Sequence, residues 1–382
     1  MKILIAGGGT AGHVFPGLAV AGVLRDQGHQ VSFVGTEEGP EARLVPGAGF
    51  ALHPVRVRQL ARQTSPRALG AVLSALVAAR GCRHLVREAH VVVGMGGYVS
   101  VPALLAARRE RVPIVLHEQN AIPGLANRAL SRVSNAVALS FAHARRSFPR
   151  RVRTVVTGNP VREAIQRVPV EREALAKEGR RDLDLDESRK TIVVFGGSQG
   201  ALHLNRAAVS ACRILADRSD LQVVLITGPA HLEAILGGIS DAARAEAPLR
   251  VGSDDGILIR MVGYLERMEL AFACADLVVS RAGATTVAEV SVCALPALLV
   301  PYPHATGHHQ EANARAVQRA GGASVMSDQQ LSGASLAARI ESLIDHQERL
   351  RAMMQRAGAF GRPDAASAVA GLVMETAGER DR

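Results

Sequence analysis

The sequence predicts an α/β fold made of two domains, and three observations carry that prediction. Each half opens with a short apolar run, a glycine-rich loop and a segment with helical spacing: residues 3–6 lead into 7–12, and residues 191–195 lead into 196–201. The length of 382 residues exceeds what one hydrophobic core usually supports, and 48% hydrophobic residues suffice for two. Further apolar runs alternate with helical segments in both halves, as in parallel sheets covered by helices.

The first half is predicted to continue as alternating strands and helices. Its later strands are expected at residues 30–35, 51–57, 90–93, 113–116 and 152–156. A second glycine loop, residues 94–97, follows the strand at 90–93, and His117, Glu118 and Asn120 follow the strand at 113–116. Open α/β sheets place their sites at the carboxyl ends of parallel strands, so these segments are candidate site loops.

A helix is expected at residues 66–88, and one face of it is apolar. Five apolar residues repeat with helical spacing, namely Leu69, Val72, Leu73, Leu76 and Val77. Arginines flank them on both sides. Such a face is either the buried side of a core helix or a patch that rests on anionic lipid, and the sequence alone does not decide between the two.

The net charge of +10 is unevenly distributed. Residues 1–160 contain 20 Lys and Arg against 7 Asp and Glu, a net +13, whereas residues 161–382 contain 25 against 28, a net −3. The first half is therefore expected to meet an anionic partner. With no Trp, three Tyr and eight Phe there are few platforms for stacking bases, so a membrane surface is favoured over nucleic acid.

Residues 163–190 are charged and poor in apolar runs, so we expect an interdomain linker there. We accordingly expect domains at 1–162 and 163–345, followed by C-terminal helices at 346–382 that pack back toward the first domain. Asp182, Asp184 and Asp186 could hold a metal ion, but carboxylates in so charged a segment are more often a solvated face.

The second half is expected to place strands at 191–195, 222–227, 256–262, 277–280 and 296–301. Residues 281–289 form a further strand-to-helix turn, and His304, His308 and His309 lie in the loop after the last strand. These histidines lack the spacing of a metal site. The four cysteines have no Cys-x-x-Cys spacing, so neither zinc nor disulfides are predicted; a reducing cytoplasm fits, and no secretory signal is expected.

Read formally, Gly7, Gly9 and Gly12 match a dinucleotide fingerprint. That fingerprint also requires an acidic residue at the end of the second strand to bind the ribose. The expected strand at 30–35 contains none, and Glu37 lies just beyond it. A nicotinamide-dependent oxidoreductase is therefore a weakly supported alternative.

Taken together, the sequences of the loops indicate a function much more specifically than the single glycine fingerprint does. Six motifs, at residues 8–16, 94–100, 117–120, 158–162, 196–201 and 281–289, resemble in the same order those of the MurG-type glycosyltransferases of peptidoglycan synthesis. These enzymes are undecaprenyldiphospho-muramoylpentapeptide β-N-acetylglucosaminyltransferases. The resemblance implies a GT-B glycosyltransferase fold, with two Rossmann-like doubly wound parallel-sheet domains facing a cleft. It further implies that the second domain holds most of UDP-N-acetylglucosamine (UDP-GlcNAc) and the first holds the undecaprenyl-linked MurNAc-pentapeptide acceptor.

The resemblance also assigns residues. The UDP-GlcNAc site would comprise Thr10, Ala11, Gly12, Asn120, Arg162, Ser198, Leu265, Ala284, Thr285, Thr286, Val287, Ala288, Glu289, His309 and Gln310. Ser198 would cradle the diphosphate at a helix N-terminus, Leu265 would read the base through its backbone and Glu289 would take the ribose hydroxyls. His13 is the candidate base on the acceptor side, and Glu118 is the second catalytic candidate. His13 could instead only shape its loop.

The implied reaction is an inverting transfer that forms a β-1,4 linkage, with no metal and no cofactor. The helix face at 66–88 corresponds to the family's membrane-facing patch, so a peripheral position on the cytoplasmic face of the cell membrane is expected. Contact with other cell wall synthesis proteins belongs to the same expectation. Two further alternatives stay open: a nucleotide-sugar binding module without turnover, and a transferase of the same fold with a small-molecule acceptor.

The sequence departs from the family pattern at three places. Ala11 and Val101 stand where glycine is usual, and Gly307-His308 replaces an acidic pair before His309 and Gln310. Ala11 should be tolerated if its φ is negative. The loop at 307–308 is where the transfer of sugar-binding roles is weakest.

Overall fold

A computed structural model describes residues 1–57, 66–197, 200–237, 249–251 and 256–378, with side chains except at 66–73, 75, 76 and 249–251. The chain divides into two compact units. Unit 1 comprises residues 1–162 and 362–382, and unit 2 comprises residues 163–361.

Unit 1 is built on a seven-stranded parallel sheet. Its strands are β1 (Lys2–Ala6), β2 (Gln30–Gly35), β3 (Ala51–Pro54), β4 (Val91–Gly94), β5 (Ile114–Glu118), β6 (Ala136–Leu139) and β7 (Arg153–Val156). Its helices before residue 162 are α1 (Ala11–Asp26), α2 (Glu41–Gly47), α3 (Pro66–Glu88), α4 (Val101–Glu110) and α5 (Leu125–Leu130). The strand order is β3-β2-β1-β4-β5-β6-β7. The expected strands are all found; β6 is additional, because its run of four small and branched apolar residues gives little periodicity.

Alternate side chains of β1 show why this sheet is covered on both faces. Ile3 and Ile5 pack in one hydrophobic cluster with residues of α1, while Leu4 and Ala6 pack in another with residues of α3 and α4. All four are buried, so β1 reads as a continuous apolar run rather than an alternating one. This is the doubly wound arrangement of Rossmann-like folds.

Unit 2 also contains a seven-stranded sheet covered by helices, but one edge strand of this sheet is antiparallel. Its strands are β8 (Lys190–Phe195), β9 (Leu221–Ile226), β10 (Leu249–Val251), β11 (Leu258–Val262), β12 (Leu277–Ser280), β13 (Ala297–Leu299) and β14 (Ala323–Val325). Its helices are α6 (Glu163–Asp182), α7 (Leu202–Ile214), α8 (Leu232–Leu236), α9 (Met268–Cys274), α10 (Ala284–Val292), α11 (His309–Ala320), α12 (Gly333–Ile344) and α13 (Gln347–Phe360). The order is β10-β11-β9-β8-β12-β13-β14, and only the edge strand β10 is antiparallel to its neighbour among the described pairs.

The segment expected as a linker is a helix. Residues 163–182 form α6, which packs against α9 and buries Ile165, Val168 and Leu175. Its apolar residues are spaced for one helical face, so the many charges around them occupy the solvent side. The charged composition therefore marks an amphipathic helix of unit 2, and no extended linker separates α6 from residue 162.

The C-terminal helices are divided between the units. Helix α13 packs with α10, α11 and α12 of unit 2. The last helix, α14 (Ala365–Gly378), packs on α1 and adds Val369 and Val373 to the cluster of Ile3 and Ile5 in unit 1. The structure thus places the return to unit 1 at residue 362, after α13 rather than before it.

Candidate active site

The strand orders locate the candidate site loops. In unit 1 the chain winds outward from β1 in one direction and from β4 in the other, so the order reverses between these two neighbouring strands. In unit 2 it reverses between β8 and β12. Ligands of open α/β sheets bind outside the carboxyl ends of the strands at such reversals. The glycine loops found in the sequence follow these four strands.

In unit 1 the loop after β1 is held by a carboxylate that the sequence did not single out. Glu41, the first residue of α2, is fully buried, and its Oε2 accepts a hydrogen bond from the backbone N–H of Gly9 at 2.9 Å. Its Oε1 accepts from the N–H of Thr36 at 2.9 Å and from the Thr36 hydroxyl at 2.6 Å. A protein carboxylate therefore already binds one of the N–H groups that an anion would use.

His13 lies beside the second glycine loop. Its ring packs over Gly96 and Gly97, since a Cβ atom on either glycine would lie 3.3 Å from a ring atom of His13. Both glycines have φ values near +80°, at +86° and +75°, which favour glycine over other residues. His13 Nδ1 is 2.9 Å from Thr10 Oγ1. The imidazole is thus oriented by its own helix N-terminus and half-buried at the β1–β4 reversal.

Glu118 and Asn120 form one hydrogen-bonded turn at the end of β5. Glu118 is 1% exposed; its Oε1 accepts from the backbone N–H of Asn120 at 2.9 Å, and its Oε2 from Asn127 Nδ2 at 2.9 Å and the N–H of Gly124 at 3.2 Å. Burial raises the pKa of Glu118, and these hydrogen bonds oppose the rise. Because both oxygens already accept hydrogen bonds, the carboxylate is suited to fixing this turn rather than to exchanging protons with a substrate.

His117 is also buried at this end of the sheet. Its Nε2 lies 3.2 Å from the carbonyl oxygen of Gly158. Burial lowers the pKa of His117 to about 4, and the nearby His13 acts in the same direction. The ring is therefore neutral near pH 7, and it ties β5 to the 158–162 motif.

Arg162 is the last residue of that motif. Its guanidinium lies 4.7 Å from the centroid of the Phe15 ring on α1. This cation–π contact places a permanent positive charge close to the start of α1, where Thr10, Ala11 and Gly12 also lie. Ala11 is helical and is not among the residues with positive φ, so the alanine is accommodated there without backbone strain.

In unit 2 the described residues of the loop after β8 are not held by a carboxylate as the first loop is. Gly197 and Gly200 have φ values of +90° and +73°, and a Cβ on Gly200 would overlap the carbonyl oxygen of Thr227. Among the described residues of this loop, 196, 197, 200 and 201, none donates a hydrogen bond to a carboxylate. The loop leads directly into α7, whose N-terminal N–H groups favour an anion. Ser198, assigned to the diphosphate, lies outside the described residues.

On the other side of the unit 2 reversal, Gln310 joins two loops. Its Oε1 accepts from the backbone N–H of Ala282 at 3.2 Å and from that of Tyr302 at 2.9 Å. These N–H groups follow β12 and β13, so one side chain of α11 fixes both strand ends. The stretch assigned to the ribose pocket, 284–289, is the first turn and a half of α10, and Glu289 is buried there.

The remaining residues assigned to UDP-GlcNAc lie at the start of α11 and in the loop before α9. His309 Nδ1 lies 2.6 Å from the carbonyl oxygen of Thr306, and burial lowers the pKa of His309. Gly307 and His308, which depart from the family pattern, both have left-handed φ values, at +61° and +55°. Such a turn suits glycine and strains histidine. Leu265, assigned to the base, is half-buried in the loop between β11 and α9.

The metal alternatives receive no geometric support. Asp184 accepts from Arg260 at 2.8 Å, Asp186 binds the N–H and hydroxyl of Ser188, and Asp182 pairs with Arg181 at 2.9 Å. The three aspartates thus face different partners and do not converge. Within the described ranges, no three His, Cys, Asp or Glu side chains are grouped so as to hold a metal ion. The four cysteines are buried and unbridged.

Of the five residues in the expected membrane-facing patch, the structure describes the side chain of Val77. The side chains of Leu69, Val72, Leu73 and Leu76 lie outside the described residues, whereas Val77 is 63% exposed on α3. Arg83 and Arg87 pair with Glu110 of α4 at 2.6 and 2.8 Å, so these two arginines bind the protein itself. None of the described helices is apolar over a length that would cross a bilayer.

Two family models match this chain, one in each half. Residues 3–139 match the glycosyltransferase family 28 N-terminal domain, and residues 191–369 match the glycosyltransferase family 28 C-terminal domain. The chain belongs to glycosyltransferase family 28. Both family 28 matches span the sheet reversals described above, so the glycine loops of both units fall within them.

Relatives within the family are similar over their full length. The chain is 39% identical over 381 residues to a UDP-N-acetylglucosamine--N-acetylmuramyl-(pentapeptide) pyrophosphoryl-undecaprenol N-acetylglucosamine transferase of Halothermothrix orenii, covering 99% of each chain. A Myxococcus xanthus protein of the same name is 39% identical, with 98% of this chain and 93% of that protein covered. The resemblance that the six motifs indicated is therefore confirmed.

Solved structures agree in fold. The crystal structure of Acinetobacter baumannii MurG is similar with a TM-score of 0.71 and 30% identity, over 98% of this chain and 99% of that one. A UDP-GlcNAc 2-epimerase from Neisseria meningitidis bound to UDP-GlcNAc has a TM-score of 0.65 at 14% identity, over 98% and 99%, which shows a shared fold alone. The predicted pair of Rossmann-like domains of the GT-B class is confirmed.

Proposed function

We propose that this family 28 chain transfers N-acetylglucosamine from UDP-GlcNAc to the 4-hydroxyl of MurNAc in undecaprenyl-diphospho-MurNAc-pentapeptide, with inversion to a β-1,4 linkage. The observation that carries the proposal is the pairing of full-length similarity to transferases of that name with glycine loops at both sheet reversals. A nicotinamide enzyme is disfavoured because the acidic residue near the first loop, Glu41, binds Gly9 rather than facing a ribose.

The donor role falls mainly to unit 2. The N-termini of α7 and α10 lie on either side of the β8–β12 reversal and would stabilise the diphosphate and the departing UDP by their N–H groups and dipoles. Gln310 holds the two strand ends that flank α10, and Glu289 would accept hydrogen bonds from ribose hydroxyls. In this proposal the helix N-termini neutralise the charge of the departing UDP, so the reaction requires no metal ion.

The acceptor chemistry needs a base for the 4-hydroxyl, and His13 is our candidate. Its ring is oriented by Thr10 and packs over the Gly96–Gly97 backbone, in space that a side chain on either glycine would take. Glu118 then acts as a positioning residue that fixes Asn120, assigned to the donor. General-base catalysis of this kind contributes about 100- to 10,000-fold to a rate.

The decisive experiment is transfer of radiolabelled GlcNAc from UDP-GlcNAc to a short-chain muramoyl-pentapeptide diphospholipid, with EDTA present. We expect a β-linked product in EDTA. Tight UDP-GlcNAc binding without transfer would reject this acceptor and favour either a binding module or a transferase with a different acceptor. Product that forms without EDTA but not in its presence would reject the metal-free mechanism.

The role of His13 is tested by His13→Ala. We expect kcat to fall by at least about 100-fold while UDP affinity changes by less than about threefold, because the base acts on the acceptor. His309→Ala, a change of another half-buried histidine assigned to sugar contact, serves as the comparison and should affect UDP-GlcNAc KM instead. A His13→Ala variant with near-normal turnover would show that the residue only shapes its loop.

We further propose that unit 1 rests on the anionic cytoplasmic face of the cell membrane. Support comes from the net +13 of residues 1–160 and from the exposure of Val77 on α3. Co-sedimentation with phosphatidylglycerol vesicles should exceed that with phosphatidylcholine vesicles, and Val77→Glu should reduce it. Equal sedimentation with both vesicle types would reject the electrostatic part of this proposal.

A further inference from the structure

A cavity lies in unit 2, at the edge of its sheet beside β14. It has a volume of about 480 Å³ and is lined by three arginines, Arg339 of α12 and Arg349 and Arg356 of α13. No acidic residue lines it, whereas Ala323, Val325, Ala352 and Met353 form an apolar part of its wall. The volume is within the range of small-molecule sites.

The three guanidinium groups lack counter-charges in the described part of the chain. Arg339 donates to Ser324 Oγ at 3.4 Å and Arg349 to Ser342 Oγ at 3.5 Å, which are long, weak hydrogen bonds. No described carboxylate lies within 4.0 Å of Arg339, Arg349 or Arg356.

The carboxylates of α12 and of the turn after it are engaged elsewhere. Arg218, outside the cavity, lies 2.8 Å from Asp345 and 3.7 Å from Glu341. These two acids therefore pair with Arg218 and do not neutralise the arginines of the cavity. What remains around the cavity is a cluster of like charges, which repel one another until an anion neutralises them.

The backbone also makes room for this cluster. Gly321 ends α11 with a φ of +81°, and a Cβ atom there would lie 2.6 Å from both Cδ and Nη1 of Arg356. The missing side chain allows the stem of Arg356 to lie against the end of α11. Arg356 is thus placed by tertiary packing at the cavity wall.

We propose that this cavity binds a small organic phosphate, with its phosphate groups on the three arginines and its apolar part against Val325 and Met353. Each guanidinium group is a planar fork of N–H donors that binds phosphate oxygens in bidentate fashion, so arginines suit this ligand class. Gly321 lies about 16 Å along α11 from Gln310, at 1.5 Å per residue. The site is therefore separate from the proposed UDP-GlcNAc site and does not depend on that proposal.

Calorimetric titration of the full chain with inorganic pyrophosphate tests the arginine cluster. The titration is done at low salt, and comparison with the arginine variants separates the cavity from the donor loops, which those variants leave unchanged. We expect binding by the wild-type protein and a dissociation constant at least tenfold higher for Arg349→Ala/Arg356→Ala. The charge-conserving Arg349→Lys/Arg356→Lys should fall between them, because it keeps charge and loses the bidentate fork.

Arg351→Ala is the matched control, since Arg351 is an exposed arginine of the same helix that does not line the cavity. It should leave the dissociation constant within about twofold of the wild-type value. Equal weakening by Arg351→Ala or unchanged binding in the double alanine variant would each overturn the proposal. Phenyl phosphate should bind more tightly than inorganic phosphate, and the reverse order would reject an organic ligand.

Discussion

The two units begin with the same device, a buried strand, a glycine loop and a helix at the reversal of a doubly wound sheet, yet the loops differ in electrostatics. In unit 1 the N–H of Gly9 is bound by the buried carboxylate of Glu41, which also holds Thr36. In the described part of the unit 2 loop no carboxylate takes that place. The first loop is therefore fixed internally by a carboxylate, whereas the described residues of the second loop, 196, 197, 200 and 201, make no such contact.

This difference shows that a glycine motif specifies backbone shape without specifying a ligand. Both loops need positive φ values, at Gly9 in one and at Gly197 and Gly200 in the other. Whether the resulting N–H groups meet a substrate depends on side chains brought from elsewhere in the sheet. Three predictions test this contrast between the two loops and the packing around the first one, beginning with the largest effect.

The largest effect is expected from Glu41→Ala. The substitution leaves two partly buried N–H groups without an acceptor and opens a cavity at the buried Glu41 site, so the free energy of unfolding should fall by about 4 kcal/mol. Urea unfolding measures this, with Glu37→Ala as a control, because Glu37 is exposed on the same connection. A loss below about 1 kcal/mol would mean that Glu41 does not hold the loop.

The next effect concerns the acid stability of unit 1. His117 has a pKa of about 4 in the folded protein against 6.5 as its ordinary value. Above pH 6.5 the ring is neutral in both states; between pH 6.5 and 4 only the unfolded chain takes up the proton, so stability falls as pH falls. The loss amounts to about 3 kcal/mol over this window.

His117→Gln should remove that part of the pH dependence. The raised pKa of Glu118 acts with the opposite sign, since stability from it decreases as pH rises, and it remains in both proteins. The difference between the wild-type and variant urea-unfolding profiles therefore isolates His117. His346→Gln, at an exposed position of unit 2, is the control. Parallel profiles for wild type and His117→Gln would contradict the burial of a neutral imidazole.

The smallest effect comes from matched glycine substitutions in the two loops. A Cβ on Gly8 would overlap the Glu41 carboxylate, whereas a Cβ on Gly197 has no described atom within 4 Å. Gly8→Ala should therefore cost about 2 kcal/mol and Gly197→Ala about 1 kcal/mol, the latter from its positive φ alone. Thermal or urea unfolding of the pair checks this. Equal losses of unfolding free energy for the two variants would mean that the Glu41 side chain moves aside for the new methyl group. The two loops would then not differ in rigidity.

Much of the fold could be predicted because its signals are local. Apolar runs predicted β1, β2, β4, β5 and β8, and the glycines after them predicted the turns into helices. The short strands β6, β10 and β14 were missed, since three or four residues carry too little periodicity to be distinguished from loops. The segment 163–182 was misread as a linker because its buried face holds few apolar residues among many charges.

The candidate site was predicted in part. His13, Glu118 and Gln310 lie at the strand ends where parallel-sheet topology places sites, and motif order pointed to them. The role of Glu41 was not predicted, although the dinucleotide fingerprint requires an acid after β2, because Glu37 stands nearer to the end of that strand. The acid that reaches the loop comes four residues later, and no spacing rule predicts that α2 turns back over Gly9.

By itself the sequence determined the fold class, the positions of the glycine turns and the family, because periodicity, turn chemistry and ordered motifs are properties of short segments. Only the tertiary structure decided that α14 returns to unit 1, that Glu41 binds the first loop and that three arginines surround one cavity. Each of these depends on contacts between residues distant in sequence. Burial and charge neutralisation are set by the neighbours in space, which no local pattern encodes.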